Sequence, residues 1–555
     1  MLEVKKFPED MSTIEVDRGE AKRCLVSGIF EESVDVGGRP RRFYTYIAPG
    51  LCSCQPCLVL APPEGIPVPE YLENSFWLDF AREHQIFLHV LEPENGRYGS
   101  SDPEYMNRVY VGIQSRKYYV TMQDNIYAAG IGGDVKIAQQ AAMEMASEWS
   151  GLATFGEMGP EIMESAGRTH SGEATGKTEL VVSGAKAPLP VWMAWGENTG
   201  DNRAVCGYWM AQNDSDPEPF SNRWADEIYF PGRVCRKSQI NDEKIAQVRV
   251  TNGYEGRLSR DFFEAVWGYI SLARRHRSFS KKALRYFEDP TAYGAELHTM
   301  EWQGFTRRWY EYVPKSVKNA GGPVPLVVCM HGRGGSAETF MDLSGMNRVA
   351  EERGFIVVFP EASVSQQRPG DLRNLLLWSG SYEGRQTDDV GFILKLIEDV
   401  KSRRDIDSTR VYACGQSIGG MMTSELAVKA SRVFAAVSPW SAIKSPEDKT
   451  PPPEAIESAI PYMFLFGEHD WLCVDRENGQ LPYHVTADIA AFLRNLMRLY
   501  DLDEIPMCYT CGEISYYVYQ NPKHVPMLIV GTVKDMTHAN YPRESWIAYD
   551  EFLSK

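Results

Sequence analysis

A chain of 555 residues with 43% hydrophobic and 12% aromatic side chains is too long for one core and has an ordinary globular composition, so roughly two to four domains are expected. A formal net charge of −17, with no basic tract to offset it, argues against a nucleic-acid partner. No apolar run reaches the length of about 18 residues that a membrane span needs, and the opening MLEVKKFPEDMSTIEVDRGE lacks the apolar stretch of a secretory leader; the expectation is a cytoplasmic protein with no membrane partner.

From its N-terminus onward the chain reads as buried strands alternating with amphipathic helices, and then reads so a second time. GGRPRRFYTYIAP (residues 37–49) returns as QGFTRRWYEYVP (303–314), each an Arg-Arg pair with alternating aromatics, expected as an edge strand ending at a turn. PCLVLAPPEG (56–65) returns as PLVVCMHGRGG (325–335), a buried strand entering a Gly/Pro loop. FWLDFAREHQIFLHVLEP (76–93) matches MNRVAEERGFIVVFPEA (346–362), a helix followed by a strand. IYAAGIGGDVKIAQQAA (126–142) matches VYACGQSIGGMMTSELA (411–427), and LPVWMAWGEN (189–198) matches IPYMFLFGEH (460–469). The spacing between copies drifts only by loop-sized insertions. The fold class is therefore read as α/β: two tandem domains, each a mostly parallel, doubly wound sheet, covering residues 1–290 and 291–555 and joined within the charged stretch 278–296.

Eleven cysteines, an odd number, several of them inside buried strands, read as free thiols of a reducing compartment. Cys52, Cys54 and Cys57, and Cys508 with Cys511, are close enough to clip a metal, but neither group has a partner CxxC or HxxxH at metal-site spacing; neither a metal nor a cofactor is assigned.

Chemistry concentrates in the second copy. Val411 to Cys414 form a short strand that stops at Gly415-Gln416-Ser417-Ile418-Gly419, and a helix-compatible run follows. This is the strand–turn–helix context of a GxSxG nucleophile elbow, in which bulky residues two positions either side of the serine would clash. The first copy, aligned on Ile-Tyr-Ala-Ala-Gly, runs from Gly130 to Ile131-Gly132-Gly133 as though Gln and Ser had been deleted. It also has no histidine in VRVTNGYEGRLSRDFFEAVWGYI (248–270), and is expected to be a catalytically dead scaffold or a neighbour of the substrate site.

For a serine nucleophile the order Ser, acid, His supplies Asp470, just past a buried strand, and His538, in the loop after another. Asp475 and Glu468 are alternative acids, and Asp470 is preferred for its place at the strand tip. His469 is read as structural, because one imidazole alone can face Ser417. The oxyanion hole is assigned to the backbone N–H groups of Ile418 and of Arg333 in the glycine-flanked loop HGRGG. The segment from Trp471 to Pro526, with Tyr516, Tyr517 and Tyr519, is an insertion between acid and base, expected either as a lid or acyl pocket or as packing against the first copy.

PLVVCMHGRGGSAETF, GFIVVFPEA, LLLWSG, DDVGFILKLIEDV, DSTRVYACGQSIGGMMTSELA, FAAVSPWS and GTVKDMTHANYP together resemble the esterase family of poly(3-hydroxybutyrate) depolymerases, with the related feruloyl and acetylxylan esterases, over roughly residues 325–555. The resemblance implies an α/β-hydrolase fold, cofactor-free ester hydrolysis, a triad of Ser417, Asp470 and His538, and a structural role for Asp388 and Asp389 at the start of a helix. The secreted members carry leaders, disulfides and polymer-binding modules not seen here, so a small or oligomeric ester is expected as substrate. Two other readings share the sequence: a serine peptidase of the prolyl-oligopeptidase type, which would need a β-propeller pattern that is absent, and a non-catalytic binding protein of hydrolase fold. The acyl and alcohol groups and the oligomeric state are not legible.

Overall fold

The computed structural model describes residues 2–9, 20, 22–114, 116, 118–174, 178–184, 187–232, 245–276, 283–318, 321–365, 375–382, 385–442, 456–471 and 481–555. Among these, twenty strands form two ten-stranded mixed sheets. In the first, β1 (Val4–Lys5), β2 (Gly28–Val36), β3 (Arg39–Ile47), β4 (Cys57–Ala61), β5 (Phe87–Leu91), β6 (Ile126–Ile131), β7 (Gly151–Phe155), β8 (Val191–Ala194), β9 (Glu227–Tyr229) and β10 (Val248–Thr251) lie in the order β1-β2-β3-β5-β4-β6-β7-β8-β10-β9. The second holds β11 (Glu296–Trp302), β12 (Phe305–Tyr312), β13 (Val324–Met330), β14 (Ile356–Pro360), β15 (Ile406–Gln416), β16 (Ala436–Trp440), β17 (Tyr462–Gly467), β18 (Met507–Cys511), β19 (Ile514–Gln520) and β20 (Pro526–Val533). Their order is β11-β12-β14-β13-β15-β16-β17-β20-β19-β18. From β2 to β8, and from β11 to β17, the two orders correspond strand for strand.

The central strands are parallel and wholly buried, because helices cover both faces and every side chain, up or down, meets a core. Along β13, Leu326, Val328 and Met330 enter one core while Val327 and Cys329 enter the other, as the two-residue period of a strand requires. No described helix is long and apolar enough to cross a membrane.

The Arg-Arg repeats prove to be structural devices. They lie on β3 and β12, which are not edge strands as expected: β3 pairs with β2 and β5, and β12 with β11 and β14. The sequence pattern hid this because a leading hairpin strand, β2 or β11, covers the outer side of each. Arg41 pairs with Asp102, the first residue of helix α1 (Asp102–Ile113), and Arg307 pairs at 2.8 Å with Asp389, at the head of the helix Asp389–Arg403. The second arginine of each pair reaches a glutamate just past the neighbouring strand, Arg42 to Glu92 at 2.7 Å and Arg308 to Glu361 at 3.5 Å. Asp388 caps the Asp389–Arg403 helix as expected, accepting from the Gly391 N–H at 2.8 Å.

Over its described part the segment between acid and base adds a helix and two strands to the second sheet. Its helix, Ala487–Leu499, packs Phe492 against Tyr462 and Phe464, and β19 and β18 extend the sheet beyond β20. Tyr516 and Tyr519 are core residues of opposite sheet faces. Cys508 and Cys511 stand three apart on β18 and so point to opposite sides, which rules out a shared metal clip.

Polar contacts tie the two sheets together. Arg285, on a short strand (Leu284–Tyr286) within the expected join, binds Asp124 at 2.8 Å and Asp342 at 2.7 Å, all three being buried. Burial pushes the Asp342 carboxyl up to about 6 even beside that guanidinium. Lys22 meets Glu338 at 3.4 Å, and the Cys54 thiol donates to the Gly334 carbonyl at 2.8 Å. Cys57 is buried within β4.

Candidate active site

The nucleophile corner is made by close packing. A β-carbon on Gly415 would lie 2.7 Å from the Met330 carbonyl oxygen, and one on Gly419 only 2.2 Å from it, so both positions exclude any larger residue. Between them Ser417 sits at φ 55°, ψ −122°, a conformation that side chains disfavour. Its own N–H donates to the Trp440 carbonyl at 2.9 Å, leaving Ile418 at the head of α2 (Ile418–Lys429) to present the next outward amide.

His538 Nε2 lies 3.0 Å from Ser417 Oγ, and its Nδ1 lies 2.9 Å from Asp470 Oδ2. Asp470 is fully buried. The loops after β17 and β20 interlock to bring these two groups together: the His469 N–H donates to the Met536 carbonyl, and Gly467 passes so near that a β-carbon would be 2.0 Å from the same oxygen. The Ser441 hydroxyl, just past β16, donates to the Ala539 carbonyl at 3.0 Å and fixes the histidine loop from the other side. An exposed Trp471 ring stands 5.7 Å from the imidazole.

Of the rival acids, Glu468 is exposed and Asp475 lies outside the described residues. His469 turns away from Ser417 towards Glu468 and Asp535, at 3.3 and 3.8 Å. Those three residues bring ligand-type atoms within 4.8 Å of one another near the surface.

The HGRGG loop is anchored by His331. The buried imidazole accepts from the Ala362 N–H through Nε2 at 3.0 Å and donates from Nδ1 to the Gly332 carbonyl at 2.7 Å. Burial lowers its pKa to about 4, so it stays neutral and keeps both bonds. Arg333 and Gly334 of this loop line a cavity of about 400 Å³ with Leu375, Gln416, Ser417 and His538. The rest of the lining, Gln114, Arg116 and residues 119–123, comes from the first half of the chain, as a neighbour of the substrate site would.

The first half has a corner of the same build but different residues. Gly130 pairs with Ala61 and Thr154 where Gly415 pairs with Met330 and Pro439, and Ile131 pairs with Phe155 where Gln416 pairs with Trp440. The next residues, Gly132 at φ 78° and Ser417 at φ 55°, occupy the same left-handed turn. Nothing is deleted, as matching letters had suggested; glycine stands in the place of the serine.

Residues 310–451 match the family model described as Esterase PHB depolymerase, a stretch that includes Arg333 and Ser417 and stops before Asp470 and His538. The chain is 31% identical over 134 residues to feruloyl esterase B of Thermothelomyces thermophilus, covering 24% of this chain and 43% of that protein. It is 28% identical over 198 residues to the acetylxylan esterase of Coprinopsis cinerea, covering 34% of this chain and 51% of that one. It therefore spans about half the length of the curated relatives it matches. Among solved structures it is similar to an acetyl xylan esterase from Aspergillus awamori, with a TM-score of 0.34 and 16% identity over 47% of this chain and 99% of that one.

Proposed function

We propose that the protein is a serine esterase that cleaves carboxylic esters through an acyl-enzyme on Ser417. The observation that carries this reading is the continuous chain from Ser417 Oγ through the imidazole of His538 to the buried Asp470, with contacts of 3.0 and 2.9 Å. In the first step His538 Nε2 takes the proton of Ser417 as Oγ attacks the ester carbonyl, and Asp470 holds the proton on Nδ1 and stabilises the imidazolium. The oxyanion of the tetrahedral intermediate is received by the N–H groups of Ile418 and Arg333. His538 then protonates the departing alcohol, and water, activated by the same nitrogen, releases the acid. The similarity to feruloyl and acetylxylan esterases supports a small or oligomeric ester as substrate.

The matching strand orders and turns further support two hydrolase-like copies, residues 1–290 and 291–555, of which the first has lost its chemistry. Besides Gly132 for Ser417, matching Gly196-Glu197 to Gly467-Glu468 sets Thr199 opposite Asp470, and Thr199 serves instead as a helix cap. The test of the esterase reading is Ser417→Ala, expected to lower kcat on p-nitrophenyl esters by about 10⁴- to 10⁶-fold, beside a fluorophosphonate probe that labels Ser417 in the parent chain. Unchanged hydrolysis by the variant would refute the assignment.

A further inference from the structure

The cavity in front of Ser417 has walls of two origins, and the one opposite the nucleophile belongs to the half that lacks chemistry. That wall is fastened to the oxyanion loop. Cys54, at φ 68°, donates its N–H to the Val120 carbonyl at 2.7 Å and its thiol to the Gly334 carbonyl at 2.8 Å. A β-carbon on Gly334 would lie 3.2 Å from Val120 Cγ1, so loop and wall are in near contact. Asp124, directly after the wall, is held by Arg285, which also binds Asp342 of the second half. A wall so braced keeps a fixed distance from Ser417, the requirement for reading a substrate rather than merely covering it.

Its chemistry is selective. The wall contributes Arg116, Thr121, Met122 and Gln123, and the facing side contributes Arg333 and Gln416. Two arginines and several amide-bearing residues are therefore among the cavity's described lining, and no carboxylate residue is. Arg116 pairs with Glu32 at 2.8 Å and donates to the Ser33 carbonyl, contacts that hold its planar group in place. In a chain of net charge −17, a cavity lined in this way is a local exception. Such a lining suits a carboxylate and suits a plain aliphatic chain poorly, because an aliphatic ligand would strip water from the guanidinium and amide groups without replacing its hydrogen bonds.

Resting on the esterase reading, we infer that the wall of Gln114, Arg116 and residues 119–123 is the specificity element and that the substrate is an ester bearing a carboxylate, held by Arg116 and Arg333. The test compares matched esters: mono-p-nitrophenyl adipate beside p-nitrophenyl hexanoate for an anionic acyl side, and 3-carboxyphenyl acetate beside 3-carbamoylphenyl acetate for an anionic alcohol side. In one pair the anionic member should be favoured by about tenfold in kcat/KM, and added salt should shrink the preference. Arg116→Gln should cut that ratio about fivefold. Gln123→Leu, which leaves the Arg116–Glu32 pair intact, should shift it in the same direction. Equal rates within both pairs, or a preference that neither variant moves, would overturn the inference while leaving the esterase reading standing. No turnover of any of the four, with Ser417 unlabelled by a fluorophosphonate, would overturn both.

Discussion

Two corners of this molecule share a backbone and differ in what they can do. At the end of β6 a glycine takes the left-handed turn, and at the end of β15 a serine does. Glycine adopts that conformation freely, whereas for a serine it is strained. The lesson is that the turn is a property of the fold, present in both sheets, while a serine there, the proposed nucleophile, is an addition that the fold tolerates. The first half shares the turn, and its Gln114, Arg116 and residues 119–123 line the same cavity as Ser417.

The sharpest way to separate the two corners is at their acid positions. Asp470→Asn should lower kcat by about 10³- to 10⁴-fold, because an amide cannot hold His538 in the needed tautomer. Thr199→Ala, at the matching place of the first half, should cost about 1 kcal/mol through loss of its cap to the Asn202 N–H. Steady-state kinetics and thermal melts of both variants check the pair; comparable activity losses would mean the two halves are not divided in labour as drawn here.

A second test asks whether the halves stand apart. Arg285→Leu leaves Asp124 and Asp342 buried without their shared cation and should destabilise the whole chain by about 3–5 kcal/mol, with one cooperative transition shifted down. Two separate transitions, one of them unmoved, would show that the halves unfold independently.

A third test concerns the anchoring of the loop that carries Arg333. His331 is held neutral by burial, its pKa lowered to about 4 from an ordinary 6.5. The unfolded chain therefore takes up this proton first, so the stability contributed by His331 is complete above about pH 6.5 and is lost as pH falls towards 4, up to about 3 kcal/mol in all. The melting-temperature gap between the parent and His331→Gln should narrow over that range. A gap that widens on acidification would contradict the neutral, doubly bonded imidazole.

The buried strands and the order Ser417, Asp470, His538 were legible because each announces itself locally: a β-branched run, then a glycine-bounded turn or a strand-end loop. Three things were not. The Arg-Arg repeats looked like edge decoration, since their partners Asp102, Asp389, Glu92 and Glu361 are fixed only once strands and helices pack. The gap assumed at Gly130 came from matching letters, whereas ladder register decides which residue occupies the turn. Which residues of the first half line the cavity follows no local pattern, because they meet Ser417 only once distant parts of the chain pack. One signal was there to be read: Ile514–Gln520, ISYYVYQ, alternates like a strand and pointed to an added sheet strand.

The strained serine has a consequence for anyone improving this protein. A glycine at position 417 would relax the turn, and substitutions of this kind at left-handed sites are worth on the order of 1 kcal/mol. Selection for thermal endurance alone would thus draw the second corner towards the composition of the first, discarding its nucleophile; breeding a hardier variant needs a screen that rewards turnover at every round.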